Sequence, residues 1–82
     1  MSPGMDTLRD DLIKIISEVL EKKPELITDE IEFKDLGADS MRMLEFLIAV
    51  EKKFKVEISE TLLPRMINLK EALEILKSAK SI

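Results

Sequence analysis

The chain of 82 residues contains no cysteine and no histidine. Without cysteine it forms no disulfide and offers no thiolate to a metal, a composition that fits a reducing compartment. Without histidine it cannot assemble a Ser-His-Asp triad, a Cys-His pair, a histidine-ligated zinc or an imidazole base from its own residues. A serine that reacts in this chain is expected to be activated from outside it. An excess of positive charge is missing too: 13 Lys and Arg against 17 Asp and Glu leave a net charge of -4. That balance opposes nonspecific nucleic-acid binding, which is driven by neutralising phosphates. No apolar run is long enough to span a bilayer, so no membrane insertion is expected. The opening MSPGM lacks the basic and apolar regions of a signal peptide. Residues 1–4 read as a candidate tag or disordered N-terminus ahead of Met5, and the expected location is cytoplasmic.

What is present is 45% apolar and 37% charged, the composition of a soluble globular domain rather than a disordered chain. Its length allows one small domain, expected over residues 5–82, whose stability is a small difference between large terms. There are no internal repeats or low-complexity segments. Leu8, Leu12, Ile15, Ile16 and Val19 recur at helical spacing and predict a first helix over 7–22. Thr7 to Asp10 has the spacing of a capping box, Lys22 and Lys23 suit the negative end of the helix dipole, and Pro24 stops the pattern.

A long connection over 24–39 follows, with Leu26, Ile27, Ile31, Phe33 and Leu36 as apolar pins and Phe33 as the deepest. Its acids Asp29, Glu30, Glu32, Asp35 and Asp39 invite a calcium reading, but their spacing and the missing central glycine fail the EF-hand pattern. A solvated acidic loop with no metal is expected. The second helix is predicted over 40–54. Met43, Leu44, Phe46, Leu47, Ile48, Val50 and Phe54 cover an arc of about 200°, where a surface helix needs about 100°. Deep burial accounts for this width; a docking face is the sharper alternative. Glu51 falls inside the apolar arc.

Lys55 to Ile58 alternates as an extended connector too short to found a sheet, and Ser59 to Met66 reads as a short helix or turn limited by Pro64. Asn68 and Glu71 have cap-to-acid spacing ahead of Leu69, Ala72, Leu73, Ile75 and Leu76, the buried face of a last helix. The expected fold is all-α: a small four-helix bundle of three main helices and one short third helix, with a long loop between the first two.

Ser40 stands at the predicted start of the second helix, where a serine oxygen ordinarily caps backbone amides. Its surroundings say more. Phe33 to Ile58, FKDLGADSMRMLEFLIAVEKKFKVEI, closely resembles the central segment of acyl carrier proteins through Phe33, Leu36-Gly37, Asp39-Ser40, Leu44-Glu45 and Phe54. The resemblance runs more loosely over Thr7 to Leu76. It implies a helical bundle whose serine, here Ser40, carries a covalent 4'-phosphopantetheine arm taken from coenzyme A. A phosphopantetheinyl transferase with its own magnesium would activate the hydroxyl, so the missing histidine is no obstacle. The carrier itself would have no catalytic residue and would not be an enzyme. Gly37 would let the loop turn, and the helix start would favour a phosphodiester. Asp39 would contact the transferase while also capping the helix.

The arm would hold acyl groups as thioesters for acyl-loading, elongating or acyl-transferring enzymes met by a monomeric carrier. Ser40 projects roughly to the side of Leu44 and Leu47, so cargo could fold back between helices. Burying about eight methylenes would gain roughly 6 kcal/mol gross, opposed by the cost of opening a packed core. Met41, Met43 and Met66 are adaptable side chains for such repacking, or simply packing residues.

Three departures from the family pattern stand out. Met41 replaces the usual leucine after the serine, a conservative change. Arg42, Lys52, Lys53 and Lys55 face only Glu45 and Glu51 over 40–55, a net of +2 where the family usually presents acids. SETLLPRMI replaces the family's acid-rich short third helix. Together they imply a specialised carrier in fatty-acid or related lipid biosynthesis, with Asp39, Met41, Arg42, Glu45, Lys52 and Lys53 as partner-recognition residues. An aminoacyl, D-alanyl, polyketide or peptide-synthetase carrier shares the attachment chemistry. In a different class, a helical adaptor without a prosthetic group would use Ser40 as a cap only.

Overall fold

A computed structural model describes residues 5–81. The candidate tag at 1–4 and the expected domain end at Ile82 lie outside the described residues. Helix α1 spans Met5–Leu20, α2 Ser40–Phe54 and α3 Leu69–Ser78. Short 3-10 helices occupy Pro24–Leu26, Phe33–Leu36 and Glu60–Arg65. The architecture is the expected small all-α bundle, in which α1 packs on α2 and α3 while the 3-10 helix Glu60–Arg65 packs against α2 and α3.

Helix α1 departs from expectation at both ends. It already includes Met5, so Thr7 lies inside it and the proposed capping box is not its start. It stops at Leu20 because Glu21 turns left-handed at φ 55°, letting the Lys22 amide donate to the Ser17 carbonyl at 3.0 Å. This is the hydrogen-bond pattern of a glycine-type helix ending, built here with a glutamate. Helix α2 ends similarly at left-handed Lys55.

The core runs through all three helices. Leu12 and Ile16 of α1, Phe46, Leu47 and Val50 of α2, and Leu69, Ala72, Leu73, Ile75 and Leu76 of α3 are buried. At the cap of α3 the Asn68 side chain accepts from the Glu71 amide at 2.9 Å. The fourth member of the bundle, Glu60–Arg65, is a 3-10 rather than an α segment. Ser59 accepts the Thr61 amide at its start, and Pro64 withholds a donor from within it. The connector before it finds a strand after all: β1, Val56–Glu57, pairs antiparallel with β2, Lys80–Ser81. Glu51 is in the apolar arc for a local reason, since its carboxylate accepts the Ile58 amide at 3.0 Å just beyond this strand.

The long loop is tied down along its length. Phe33, Ile27 and Leu36 are buried and Ile31 is half-buried, whereas Leu26 remains 48% exposed and is not a pin. The Phe33 ring meets Phe46 edge-on at 5.8 Å. The Phe33 amide donates to the Ile67 carbonyl at 2.8 Å, and the Lys70 amide to that of Asp29. Arg9 of α1 also grips the Asp29 carboxylate at 2.8 Å.

One long-range tie joins the end of α1 to the start of α2. Arg42 Nη1 donates to the Val19 carbonyl at 2.7 Å, and Nη2 lies 3.5 Å from Glu21 Oε2. The last carbonyls of a helix lack intrahelical partners and lie at its negative end, so a guanidinium satisfies both needs.

Truncating Phe33 to Ala should cost about 3–5 kcal/mol by urea denaturation, a large share of a small domain's stability. Arg42→Ala should cost about 1 kcal/mol, a value discounted because the side chain is 43% exposed. An Arg42→Ala midpoint equal to that of the parent would show that the tie contributes nothing.

Candidate functional site

The turn before α2 is built by residues whose conformations leave little choice. The 3-10 helix Phe33–Leu36 ends on Gly37, at φ 92°, and the Gly37 amide returns to the Lys34 and Phe33 carbonyls. A Cβ at Gly37 would meet open space, so glycine is needed for its backbone angle and not for room. The Ala38 amide donates back to the Phe33 carbonyl at 3.0 Å, anchoring the turn to the buried phenylalanine. Asp39 is the N-cap of α2: its Oδ1 accepts the Arg42 amide at 2.8 Å and its carbonyl accepts that of Met43.

The capping role at this helix start therefore belongs to Asp39, not Ser40. Ser40 is the first residue of α2 and is exposed. Its hydroxyl has no intramolecular post among the described residues and stands at the positive end of the helix. Exposure, a fixed turn and a favourable field for a phosphodiester fit the covalent attachment of a phosphopantetheine group. Beside the turn lies a cleft of about 140 Å³ between Phe33, Ala38, Met43, Leu63, Met66 and Ile67. Met66 forms part of its buried wall and Met43 is half-buried, so two of the three adaptable methionines meet here, while Met41 is 71% exposed and points away from packing.

Helix α2 then divides into faces. With Ser40 at 0°, Met41, Leu44, Ile48 and Lys52 fall between about 40° and 120° at 100° per residue. Leu44 is 36% and Ile48 44% exposed, so deep burial does not account for the wide apolar arc. Leu47 is buried, which places Ser40 at the border between the core and this open face. Arg42 and Lys53 lie near 200° and 220°, on the flank turned toward α1, and Arg42 is engaged there. Glu45, Lys52 and Lys53 are exposed. The exposed apolar stripe had a sequence signal in the excess width of the arc; the Val19 and Glu21 contacts of Arg42, 23 and 21 positions away, had none.

The described residues include no group of acids placed to hold a metal ion, and no helix among them is long and apolar enough to cross a membrane. A family described as "Phosphopantetheine attachment site" matches residues 10–75. The chain is 34% identical over 74 residues to an acyl carrier protein of Helicobacter pylori strain J99, covering 89% of this chain and 95% of that one. With the acyl carrier protein of Helicobacter pylori strain 26695 it shares 36% identity over the same coverage. That of Wolinella succinogenes is 40% identical over 52 residues, covering 62% of this chain and 68% of the relative. On the strength of the matched phosphopantetheine site and these near full-length relatives, the chain belongs to the acyl carrier protein family, a family of non-enzymatic carriers with a covalent 4'-phosphopantetheine group.

Proposed function

We propose that Ser40 is the attachment residue and that the chain carries acyl intermediates as thioesters on its arm in fatty-acid or related lipid biosynthesis. The observation that carries this assignment is an exposed serine hydroxyl on a helix start whose cap is already supplied by Asp39. Freed from capping, the hydroxyl is available for substitution without loss of the helix.

In the loading step the Ser40 Oγ–phosphorus bond forms and a phosphorus–oxygen bond of the coenzyme A pyrophosphate breaks. Adenosine 3',5'-bisphosphate leaves, and the serine proton passes to a base on the transferase. This chain contributes placement: Gly37 and Asp39 fix the turn, and the N-terminus of α2 faces the new negative charge. Once bound, the group supplies a thiol for acyl transfer. The cleft beside Phe33 is the place for a folded-back acyl chain. A void near 150 Å³ takes a benzene-sized guest, so a longer chain must displace Met43 or Met66.

The partners of this reading are a phosphopantetheinyl transferase and acyl-loading, elongating or acyl-transferring enzymes, met by a monomer in the cytoplasm. Asp39, Met41 and Glu45 are the contacts nearest Ser40. Lys53 flanks them and Lys52 extends the face, whereas the Arg42 guanidinium, expected among these contacts, is engaged by the end of α1. Lys52 and Lys55, exposed on α2 where the family usually presents acids, support a specialised member of the family.

Incubation with coenzyme A, magnesium and a broad-specificity transferase should add one phosphopantetheine by intact mass. Ser40→Ala should add none; modification of that variant would remove Ser40 from the role. Asp39 is separable into its two duties. Asp39→Asn keeps a capping oxygen and should stay within about 0.5 kcal/mol of the parent, whereas Asp39→Ala should lose about 1 kcal/mol. If the transferase reads the carboxylate, both variants should be modified about tenfold more slowly under subsaturating conditions, the loss expected for one charge-assisted contact. A normal rate for Asp39→Asn would confine Asp39 to capping.

A further inference from the structure

The outward face of α2 changes character along its length. Near Ser40 it is apolar: Met41, Leu44 and Ile48 are 71%, 36% and 44% exposed at successive spacings of three and four. Beyond them it becomes cationic, and Ile48, Glu51, Lys52 and Lys55 line one shallow depression. Neither Lys52 nor Lys55 has an ion-pair partner among the described residues. Glu51 turns one carboxylate oxygen to the Ile58 amide, so only part of it answers the two lysines. The remainder of the chain has the opposite sign: a net of -4 overall, with +2 over 40–55, leaves -6 elsewhere.

We propose that this face docks a protein partner whose surface is apolar beside the mouth that receives the arm and acidic about 18 Å further on. That distance is twelve residues of helix from Ser40 to Lys52. The inference deepens the carrier reading and rests on it, because a partner seated on Met41, Leu44 and Ile48 covers the neighbourhood of Ser40. Charge complementarity selects the occupant. A confined acidic patch is drawn to Lys52 and Lys55 and repelled by the rest of the molecule, which steers encounter and fixes orientation. An anionic bilayer or a nucleic acid presents charge over a broad footprint and meets that repulsion as well. Arg42 takes no part in the selection, since its guanidinium is held by α1.

The test begins with loading, confirmed by intact mass, because failure there defeats the carrier reading and not the docking one. The loaded protein, bearing an electrophilic pantetheine analogue, is then cross-linked to a panel of purified condensing enzymes whose arm channels are rimmed by either acidic or basic residues. The acid-rimmed enzymes should react about tenfold faster at low ionic strength, with the advantage shrinking as salt shortens the Debye length. The double variant Lys52→Glu, Lys55→Glu should reverse the preference while remaining folded, with a thermal midpoint a few degrees below the parent's because both positions lie at the negative end of α2. Equal rates for the two classes, or an unchanged preference in the double variant, would overturn the inference. So would loss in that variant of a self-association seen by sedimentation, or of binding to phosphatidylglycerol vesicles, either of which would assign the face to a second copy or to a membrane.

Discussion

The first turn of α2 must be rigid and yet leave a hydroxyl open, and the rest of the molecule is arranged around that demand. A helix start in an 82-residue domain would fray if its own cap were its only support. Here the turn is held from three directions. Phe33 sinks into the core against Phe46 and accepts the Ala38 amide on its carbonyl. Asp39 caps from below, and Arg42 reaches across to the end of α1. None of the three uses the Ser40 hydroxyl. The serine proposed to carry the arm is thus supported entirely by its neighbours.

The same arrangement explains why charge on α2 cannot be read as a sum. Four cations and two acids lie between residues 40 and 55, but they serve different purposes. Arg42 satisfies a helix terminus, and Glu51 satisfies the amide that follows β1. Lys53 sits on the flank toward α1, while Lys52 and Lys55 stand beside the exposed Ile48. Only the last two combine freedom with an apolar neighbour, the pairing that favours association: the lysines steer, and the buried hydrocarbon supplies the larger share of the free energy.

How legible all this was depended on the range of the interactions. The start and the buried face of helix α3 were readable, because both are set by residues three and four apart. The turn at Gly37 and the depth of Phe33 were also visible, since glycine and a lone aromatic in a polar loop have few other uses. The end of α1 was not: a glutamate at φ 55° carries no sequence mark, and left-handed backbone is expected of glycine or asparagine. Leu26 looked like a pin by composition, yet the short 3-10 helix around it turns the side chain outward. The pairing of β1 with β2 joins segments far apart in the chain, and two residues give no periodicity to detect. The second-helix arc signalled an anomaly by its width, but which part of it lay open was decided by where α1 and the 3-10 helix Glu60–Arg65 pack.

A carrier of this family leaves bond-making to its partners, and this shifts selection from chemistry to surfaces. An enzyme distinguishes substrates by groups placed against the reacting atoms. A carrier offers every partner the same serine and the same arm, so discrimination must come from residues the arm never touches. On this molecule those residues extend away from Ser40 along one side of α2, apolar first and cationic after. The order has a mechanical consequence. Apolar contact beside the serine requires close, dehydrated fit and so positions the arm, while the lysines act at longer range, before contact is made. In the proposed carrier, approach and alignment are therefore divided between opposite ends of one helix, and the rigid turn at Asp39 and Ser40 would convert that alignment into the placement of the cargo.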